Sequence, residues 1–160
     1  MRTAYYHINP ATTSDDISAV AALFSAYVKW LDIDLTFQDF ETELSALPGK
    51  YAPPAGELWL ARHADGTPIG CIALRPLDSS GICEIKRLYV TPQARGLGLG
   101  RALIATVLLH AKKLGYGEAR LDTLDTMVGP LKLYREAGFV DIAPYYETPV
   151  PNTVFLARTL

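Results

Sequence analysis

The chain has 160 residues, of which 49% are hydrophobic and 20% charged, with a formal net charge of -2. This composition predicts one globular domain over residues 1–160, and it argues against a nucleic acid as main partner, because nucleic-acid-binding domains usually carry a basic excess. No apolar run could span a bilayer and the first 16 residues lack a signal pattern, so we expect a cytoplasmic protein that does not bind membranes.

The first half of the chain predicts two helices between strands. The expected elements are a strand over residues 3–8, a helix over 13–31, a shorter helix over 36–47, and strands over 57–62 and 69–74. Asn9-Pro10 would end the first strand, and Thr13 with Asp16 resembles a capping box at the first helix. Asp65-Gly66 is a strong hairpin signal between the last two strands.

The second half alternates strands and helices more regularly. The expected elements are strands over residues 83–90 and 118–122, helices over 99–114 and 130–137, and final strands over 139–142 and 154–157. The full order is one strand, two helices, three strands, a helix, a strand, a helix and two strands. This order predicts a mixed α/β domain.

Three glycines stand at the start of the helix predicted at Leu99, in the run QARGLGLGRALI. The first N–H groups of a helix lack internal partners and carry the positive end of its dipole, so bare backbone there lets an anion approach. On the glycines alone, an anion site and a tight turn packed on a sheet are both open. The absence of GK[ST] excludes a P-loop, and the glycine spacing after Thr91-Pro92 excludes a dinucleotide fingerprint.

The run LYVTPQARGLGLGRALI resembles the acetyl-CoA-binding signature of the GNAT superfamily of N-acetyltransferases, with Gln93, Gly96 and Gly98 at its defining positions. A second signature of that superfamily appears as LYREAGF, from Leu133 to Phe139. EIKRLYV, LDTL and PYYETPVP are similar to a group of small bacterial members. The resemblance implies a mixed, mostly antiparallel sheet of about seven strands, with helices on both faces and a splay between strands four and five.

The resemblance also implies acetyl-CoA as cofactor and suggests which residues hold it. Backbone N–H groups at the glycine run would bind the pyrophosphate, and the end of the fourth strand would pair with the pantetheine arm. The expected cofactor-binding residues are Leu88, Tyr89, Val90, Arg95, Gly96, Leu97, Gly98, Leu99, Gly100, Arg101, Leu131 and Tyr134. Met127 departs from the family pattern, since many members have a cofactor-contacting asparagine there, and Pro130 replaces a common alanine.

Acetyl transfer to an amine needs a proton acceptor and a proton donor, because an alkylamine with a pKa of roughly 10 is mostly protonated at neutral pH. Tyr134 matches the family tyrosine that points at the coenzyme A sulfur, which makes it the candidate acid. Glu84 is the candidate base, because strand alternation puts it on one side with Leu88 and Val90. The alternative is a solvated glutamate at the strand end that pairs with Lys86 or Arg87, and a bulge in the strand could change the side on which Glu84 lies.

The acceptor pocket is expected between the first two helices and the YAPPAG and PYYETPVP loops, lined by Phe40, Glu41, Tyr145 and Tyr146. The three histidines have no metal-ligand spacing, so no metal is expected. The leading hypothesis is an N-acetyltransferase that acts on the primary amine of a small molecule, by direct attack. A protein or peptide acceptor and a non-catalytic acetyl-CoA-binding module are the alternatives, and a homodimer is open because dimers are frequent in the family.

Overall fold

The computed structural model describes residues 5–32 and 39–160, which contain seven strands and four α-helices. The strands are β1 (Tyr6–Pro10), β2 (Glu57–His63), β3 (Pro68–Pro76), β4 (Ile82–Val90), β5 (Glu118–Leu124), β6 (Val140–Asp141) and β7 (Thr153–Thr159). The helices are α1 (Ser14–Leu31), α2 (Phe40–Ala46), α3 (Leu99–Lys113) and α4 (Val128–Glu136). None of the helices in the described ranges is long and apolar enough to cross a membrane.

The strands form one sheet in the order β1-β2-β3-β4-β5-β7-β6. Every neighbouring pair is antiparallel except β4 and β5, which run parallel. That parallel pairing is short, because it joins only residues 82–84 of β4 to residues 118–120 of β5. The two strands separate beyond this point, which confirms the mixed sheet and the splay between strands four and five.

Helices cover both faces of the sheet, and each face has its own core. On one face α3 packs on β3 and β4 around a cluster that includes Leu103, Val107 and Leu121. On the other face α1 packs on β2, β3 and β4 around Val20 and Phe24. We call these the α3 face and the α1 face.

The start of α1 follows the predicted capping box. Thr13 accepts a hydrogen bond from the Asp16 N–H, and the Asp16 carboxylate accepts bonds from the N–H groups of Thr12 and Thr13. Asp16 also accepts a bond of 2.9 Å from Arg62 of β2. These contacts fix the angle at which α1 enters the α1 face.

Several predicted boundaries shift in the structure. β1 runs through Asn9 to Pro10, contrary to the prediction, because β1 is an edge strand and a proline there removes no ladder bond from a second neighbour. The predicted start of the second helix at Thr36 lies outside the described residues, and α2 is described from Phe40. The predicted strand over residues 139–142 shortens to β6, two residues at the sheet edge. The Asp65-Gly66 hairpin is confirmed.

Candidate active site

The glycine run forms an open turn that leads into α3. Gly96 and Gly98 have φ values of +86° and +76°, and a Cβ at either position would have no other heavy atom within 4 Å. Gly98 is the N-cap of α3, so the following N–H groups begin the helix without a capping side chain. The turn thus presents bare backbone with the positive end of a helix dipole behind it.

A cleft of about 770 Å³ begins at this turn and runs between β4 and α4. It brings together most of the residues predicted to hold the cofactor, namely Leu88, Tyr89, Val90, Arg95, Gly96, Gly98, Leu99, Gly100 and Arg101. Leu97 is outside the cleft and 42% exposed, and Leu131 packs on the α3-face core instead. Pro130 and Leu133 of α4 line the cleft where Leu131 was expected.

Trp30 is a cleft residue that the sequence interpretation missed. It lies at the end of α1, 42% exposed, with its ring centroid 5.7 Å from that of Tyr89. The Arg95 guanidinium stacks 4.8 Å from the Trp30 ring centroid, and its Nε donates a bond of 3.2 Å to the Val90 carbonyl. The sequence did contain a signal for Trp30, because a large aromatic residue that lies off the apolar stripe of an amphipathic helix is available to line a binding site.

A second, smaller pocket of about 60 Å³ lies in the splay between β4 and β5. It shares Leu31, Leu88, Leu124, Met127 and Pro130 with the cleft, so the two cavities adjoin. Met127 and Pro130, the two positions that depart from the family pattern, therefore form the boundary between them. The ionisable groups among its lining residues are Tyr27, Lys86, Arg87, Asp122 and Tyr134.

Tyr134 reaches the small pocket from α4. It is 7% exposed, and its ring packs edge-on against Phe139 at 5.9 Å between centroids. Burial raises the pKa of Tyr134 well above that of an ordinary tyrosine. The hydroxyl is protonated at neutral pH, as in an ordinary tyrosine, which is the state that a proton donor requires.

A bulge in β4 changes which side chains share a face. Cys71 of β3 pairs with Tyr89 and Ala73 pairs with Lys86, so Arg87 and Leu88 together stand opposite a single residue of β3. Arg87 has a φ of 63°, the left-handed conformation that produces the extra residue. Leu88 packs in the α3-face core. The prediction that Glu84 shares a side with Leu88 and Val90 is therefore wrong, because the bulge inverts the alternation between them.

Glu84 lies on the α1 face and is only 2% exposed. Its Oε1 accepts a bond of 2.8 Å from Arg75, and its Oε2 accepts one of 2.5 Å from the Tyr145 hydroxyl. Burial opposes ionisation, but the Lys86 charge and these two bonds lower the pKa of Glu84 below its usual value. Glu84 lines neither cavity, so its role as the base stays a prediction that these contacts do not favour.

Lys86 follows Glu84 on the same face and lines the small pocket. Its Nζ lies 4.0 Å from Glu84 Oε1, and burial lowers the pKa of Lys86 to about 8. Arg87 is held by Glu43 of α2 through two bonds of 2.9 and 3.1 Å. The α1 face of β4 thus carries a buried set of paired charges beside the pocket.

The PYYETPVP loop lies across the splay. Tyr145 bonds to Glu84 as described, and the Tyr146 hydroxyl donates a bond of 2.6 Å to Asp122 Oδ2 of β5. Both rings pack edge-on against Phe155 of β7, each with centroids 5.2 Å apart. Thr148 and Val150 of the same loop line the small pocket. Tyr145 and Tyr146, which were expected to line the acceptor pocket, line neither of the two cavities, and instead they anchor the loop to β4 and β5 through these hydrogen bonds.

The two α2 residues predicted to line the acceptor site lie outside both cavities. Phe40 packs on the α1-face core, with the Arg87 guanidinium 5.4 Å from its ring centroid. Glu41 is exposed on the helix surface. Asp122 and Tyr27, which the sequence interpretation did not single out, line the small pocket instead. In the sequence, Asp122 was marked only as a polar residue within the strand run LDTL.

The model of the acetyltransferase (GNAT) family matches residues 23–139 of this chain. An uncharacterized N-acetyltransferase of Schizosaccharomyces pombe is 39% identical over 156 residues, which is 98% of this chain and 96% of the relative. One from Dictyostelium discoideum is 28% identical and covers 88% of this chain and 92% of its own. The crystal structure of a GNAT-family acetyltransferase from Staphylococcus aureus superposes with a TM-score of 0.80 at 21% identity, over 96% of this chain and 98% of that chain.

The chain belongs to the acetyltransferase (GNAT) family. Its relatives and family make it an acyltransferase of the N-acetyltransferase class, and the family implies acetyl-CoA as the co-substrate. The narrower expectation of a small bacterial group is not supported, because the relatives from S. pombe and D. discoideum, which align along most of this chain, are eukaryotic.

Proposed function

We propose that this protein transfers an acetyl group from acetyl-CoA to the primary amine of a small molecule. The observation that carries the proposal is the continuity of the two cavities. The 770 Å³ cleft starts at the glycine turn and ends at the 60 Å³ pocket that contains Tyr134. An elongated donor along the cleft would bring its reacting end into the pocket.

The residues of the cleft fit coenzyme A. When bound, acetyl-CoA would supply the acetyl group as an activated thioester. The N–H groups at the start of α3, with Arg95 and Arg101 beside them, suit a pyrophosphate. Because β5 pairs with residues 82–84 of β4 and not with Leu88–Val90, the backbone of that end of β4 can pair with an amide-containing arm. An N–H group of Leu88 or Val90 would polarise the thioester carbonyl.

Tyr134 is the proposed proton donor to the leaving sulfur. Its hydroxyl is protonated at neutral pH, as in an ordinary tyrosine, and burial disfavours the phenolate further. The helix that carries it also contributes Pro130 and Leu133 to the cleft wall, so donor and cofactor would share one rigid element. A proton donor held in this way contributes about 10²–10⁴-fold to a rate.

The size of the small pocket supports a small acceptor. A volume of about 60 Å³ has room for only a few water-sized groups. The loop over residues 144–151 is tied to β4 and β5 through Tyr145 and Tyr146, and a groove open at both ends would be needed for a peptide. We therefore favour a small-molecule amine over a protein acceptor.

The test is turnover of amine panels by the purified protein with acetyl-CoA, followed as release of free thiol. One panel contains small primary amines, and the other contains lysine peptides and peptides with free N-termini. We expect thiol release with members of the first panel. If coenzyme A binds in calorimetry but neither panel is acetylated, the proposal is wrong and a non-catalytic binding module is favoured. Faster turnover of the peptides would mean that the acceptor is a protein or peptide and not a small molecule.

A further inference from the structure

The small pocket contains one carboxylate among its described lining residues, and it is Asp122. The neighbouring carboxylates are held elsewhere, since the Glu84 and Glu43 side chains are 2% and 5% exposed and bonded to Arg75 and Arg87. Asp122 is half-buried and faces the cavity. An acceptor amine that enters the pocket would therefore meet Asp122 before any other anion described there.

Asp122 is held in a fixed orientation from one side. Tyr146 donates to Oδ2 at 2.6 Å, and the Tyr146 ring is itself packed against Phe155 and Tyr145. Among the described residues, Tyr146 is the hydrogen-bond donor to this carboxylate, which leaves Oδ1 able to accept from a ligand. A carboxylate held through one oxygen can bind an ammonium or amine group through the other.

Asp122 and Tyr134 approach the pocket from opposite faces of the sheet. Leu121 and Tyr134 belong to the α3-face core, and strand alternation puts Asp122 on the α1 face. Because β4 and β5 have separated at this level, the two side chains line one cavity through the gap. This arrangement suits amine attack, since one group can meet the nitrogen that approaches the carbonyl carbon while the other meets the departing sulfur.

We propose that Asp122, rather than Glu84, is the carboxylate that binds the acceptor amine and takes its proton during acetyl transfer. The inference rests on the proposed function and names a further catalytic residue for it. The acceptor reacts as the neutral amine, after its ammonium form has lost one proton to solvent. As the nitrogen forms its bond to the carbonyl carbon and the carbon–sulfur bond breaks, a proton passes from the nitrogen to Asp122. The Tyr134 hydroxyl gives its proton to the sulfur, and solvent carries the proton from Asp122 back to Tyr134.

The timing of the proton transfer follows from the relative basicities of the two groups. A carboxylate is a much weaker base than an alkylamine, so it does not deprotonate an ammonium group in the ground state. The nitrogen becomes strongly acidic only as its bond to carbon forms, and the carboxylate takes the proton then. Among the described residues, the titratable and charged groups that face Asp122 are Lys86 and Arg87 of β4, Tyr27 of α1, Tyr134 of α4, and Tyr145 and Tyr146 of the loop. Titration of any of these groups would also shape the pH dependence.

The experiment compares wild type with Asp122→Asn, Asp122→Glu and Asp125→Asn. Asp125 is an exposed aspartate just beyond β5 that lines neither cavity, so it is the matched control. The probes are ethylamine, propylamine and butylamine, with thiol release as readout and calorimetry for coenzyme A affinity. We expect Asp122→Asn to lower kcat/KM by about 10²–10³-fold. Asp122→Glu should recover part of the lost kcat/KM, and Asp125→Asn should have the kcat/KM of wild type. Coenzyme A affinity should not change.

The pH profile separates proton transfer from a structural role. For Asp122→Asn the loss should shrink as the pH rises, because hydroxide can replace the missing carboxylate as proton acceptor. A loss that is constant across pH, or one matched by weaker coenzyme A binding, means that Asp122 only shapes the site and overturns the inference. Wild-type activity in Asp122→Asn together with a large loss of activity in Glu84→Gln would also overturn the inference. No turnover of any amine by wild type overturns the proposed function as well.

Discussion

Replacing Gly98 with alanine tests whether bare backbone at the start of α3 binds the cofactor. The φ of +76° is unfavourable for a residue with a Cβ, at a cost of roughly 1–2 kcal/mol. A methyl there would meet no other heavy atom within 4 Å, so strain of the backbone is the whole structural cost. For a domain of this size, each kcal/mol lowers Tm by about 2–4 °C.

The same methyl would occupy the space through which an anion reaches the first N–H groups of α3. We expect coenzyme A affinity to fall by about tenfold or more, which corresponds to roughly 1.4 kcal/mol of binding free energy. Gly115 is the matched control, because it has a φ of +91° and no heavy atom within 4 Å of an added methyl, yet it follows the other end of α3. Fifteen helical residues, at a rise of about 1.5 Å each, separate the two ends.

The assay pairs thermal unfolding with calorimetric titration of coenzyme A for Gly98→Ala and Gly115→Ala. Both variants should lose similar stability, and only Gly98→Ala should lose affinity. Wild-type affinity in Gly98→Ala would refute the assignment of a pyrophosphate site to this turn. Equal loss of affinity in both variants would refute it too, because general destabilisation would then explain the effect.

Three further predictions concern the site and the stability of the fold. Tyr134→Phe should lower kcat by about 10²-fold or more without changing coenzyme A affinity, measured by steady-state kinetics and calorimetry, and wild-type rates would eliminate its role as acid. Tyr145→Phe should cost about 1–3 kcal/mol in urea unfolding and more than Tyr146→Phe, because Glu84 is buried and Asp122 is only half-buried. Arg62 and the Thr12 N–H hold the pKa of Asp16 at about 2, so its stabilisation is full above pH 4 and is lost as the pH falls toward 2. In Asp16→Asn, the free energy of unfolding should depend less on pH below pH 4 than it does in wild type. An unchanged slope would contradict the role given to Asp16.

Local patterns in the sequence were enough for most of the fold. The apolar periodicity of α1 and α3, the capping box at Thr13 and the hairpin at Asp65-Gly66 each depend on residues close together in the chain, and the structure has all of them. The glycine turn was predictable for the same reason, since its conformation and the helix that follows are set by neighbouring residues. The last α-helix begins at Val128, ahead of Pro130, because a proline is tolerated in the first turn.

The facing of Glu84 was not predictable in this way. Strand alternation is a local rule, but the bulge at Arg87 is a property of the register between β3 and β4. A run of residues with strong β-propensity looks the same in the sequence with or without a bulge. The sequence of β4 alone therefore does not show where the alternation of side chains between the two faces of the sheet is inverted. The departure is confined to one residue, yet it puts Leu88 and Glu84 on opposite faces.

The sequence by itself determined the family, the class of chemistry, the glycine turn and the candidate acid Tyr134, because each is encoded by residues within a short run. Only the tertiary structure decided which carboxylate faces the pocket. Tyr145 meets Glu84 across 61 residues of chain and Tyr146 meets Asp122 across 24, and no spacing within a single element carries such pairings. They form only when the sheet assembles and the loop over residues 144–151 folds against β4 and β5, and the splay beyond Glu84 then leaves a gap that side chains from both faces can enter.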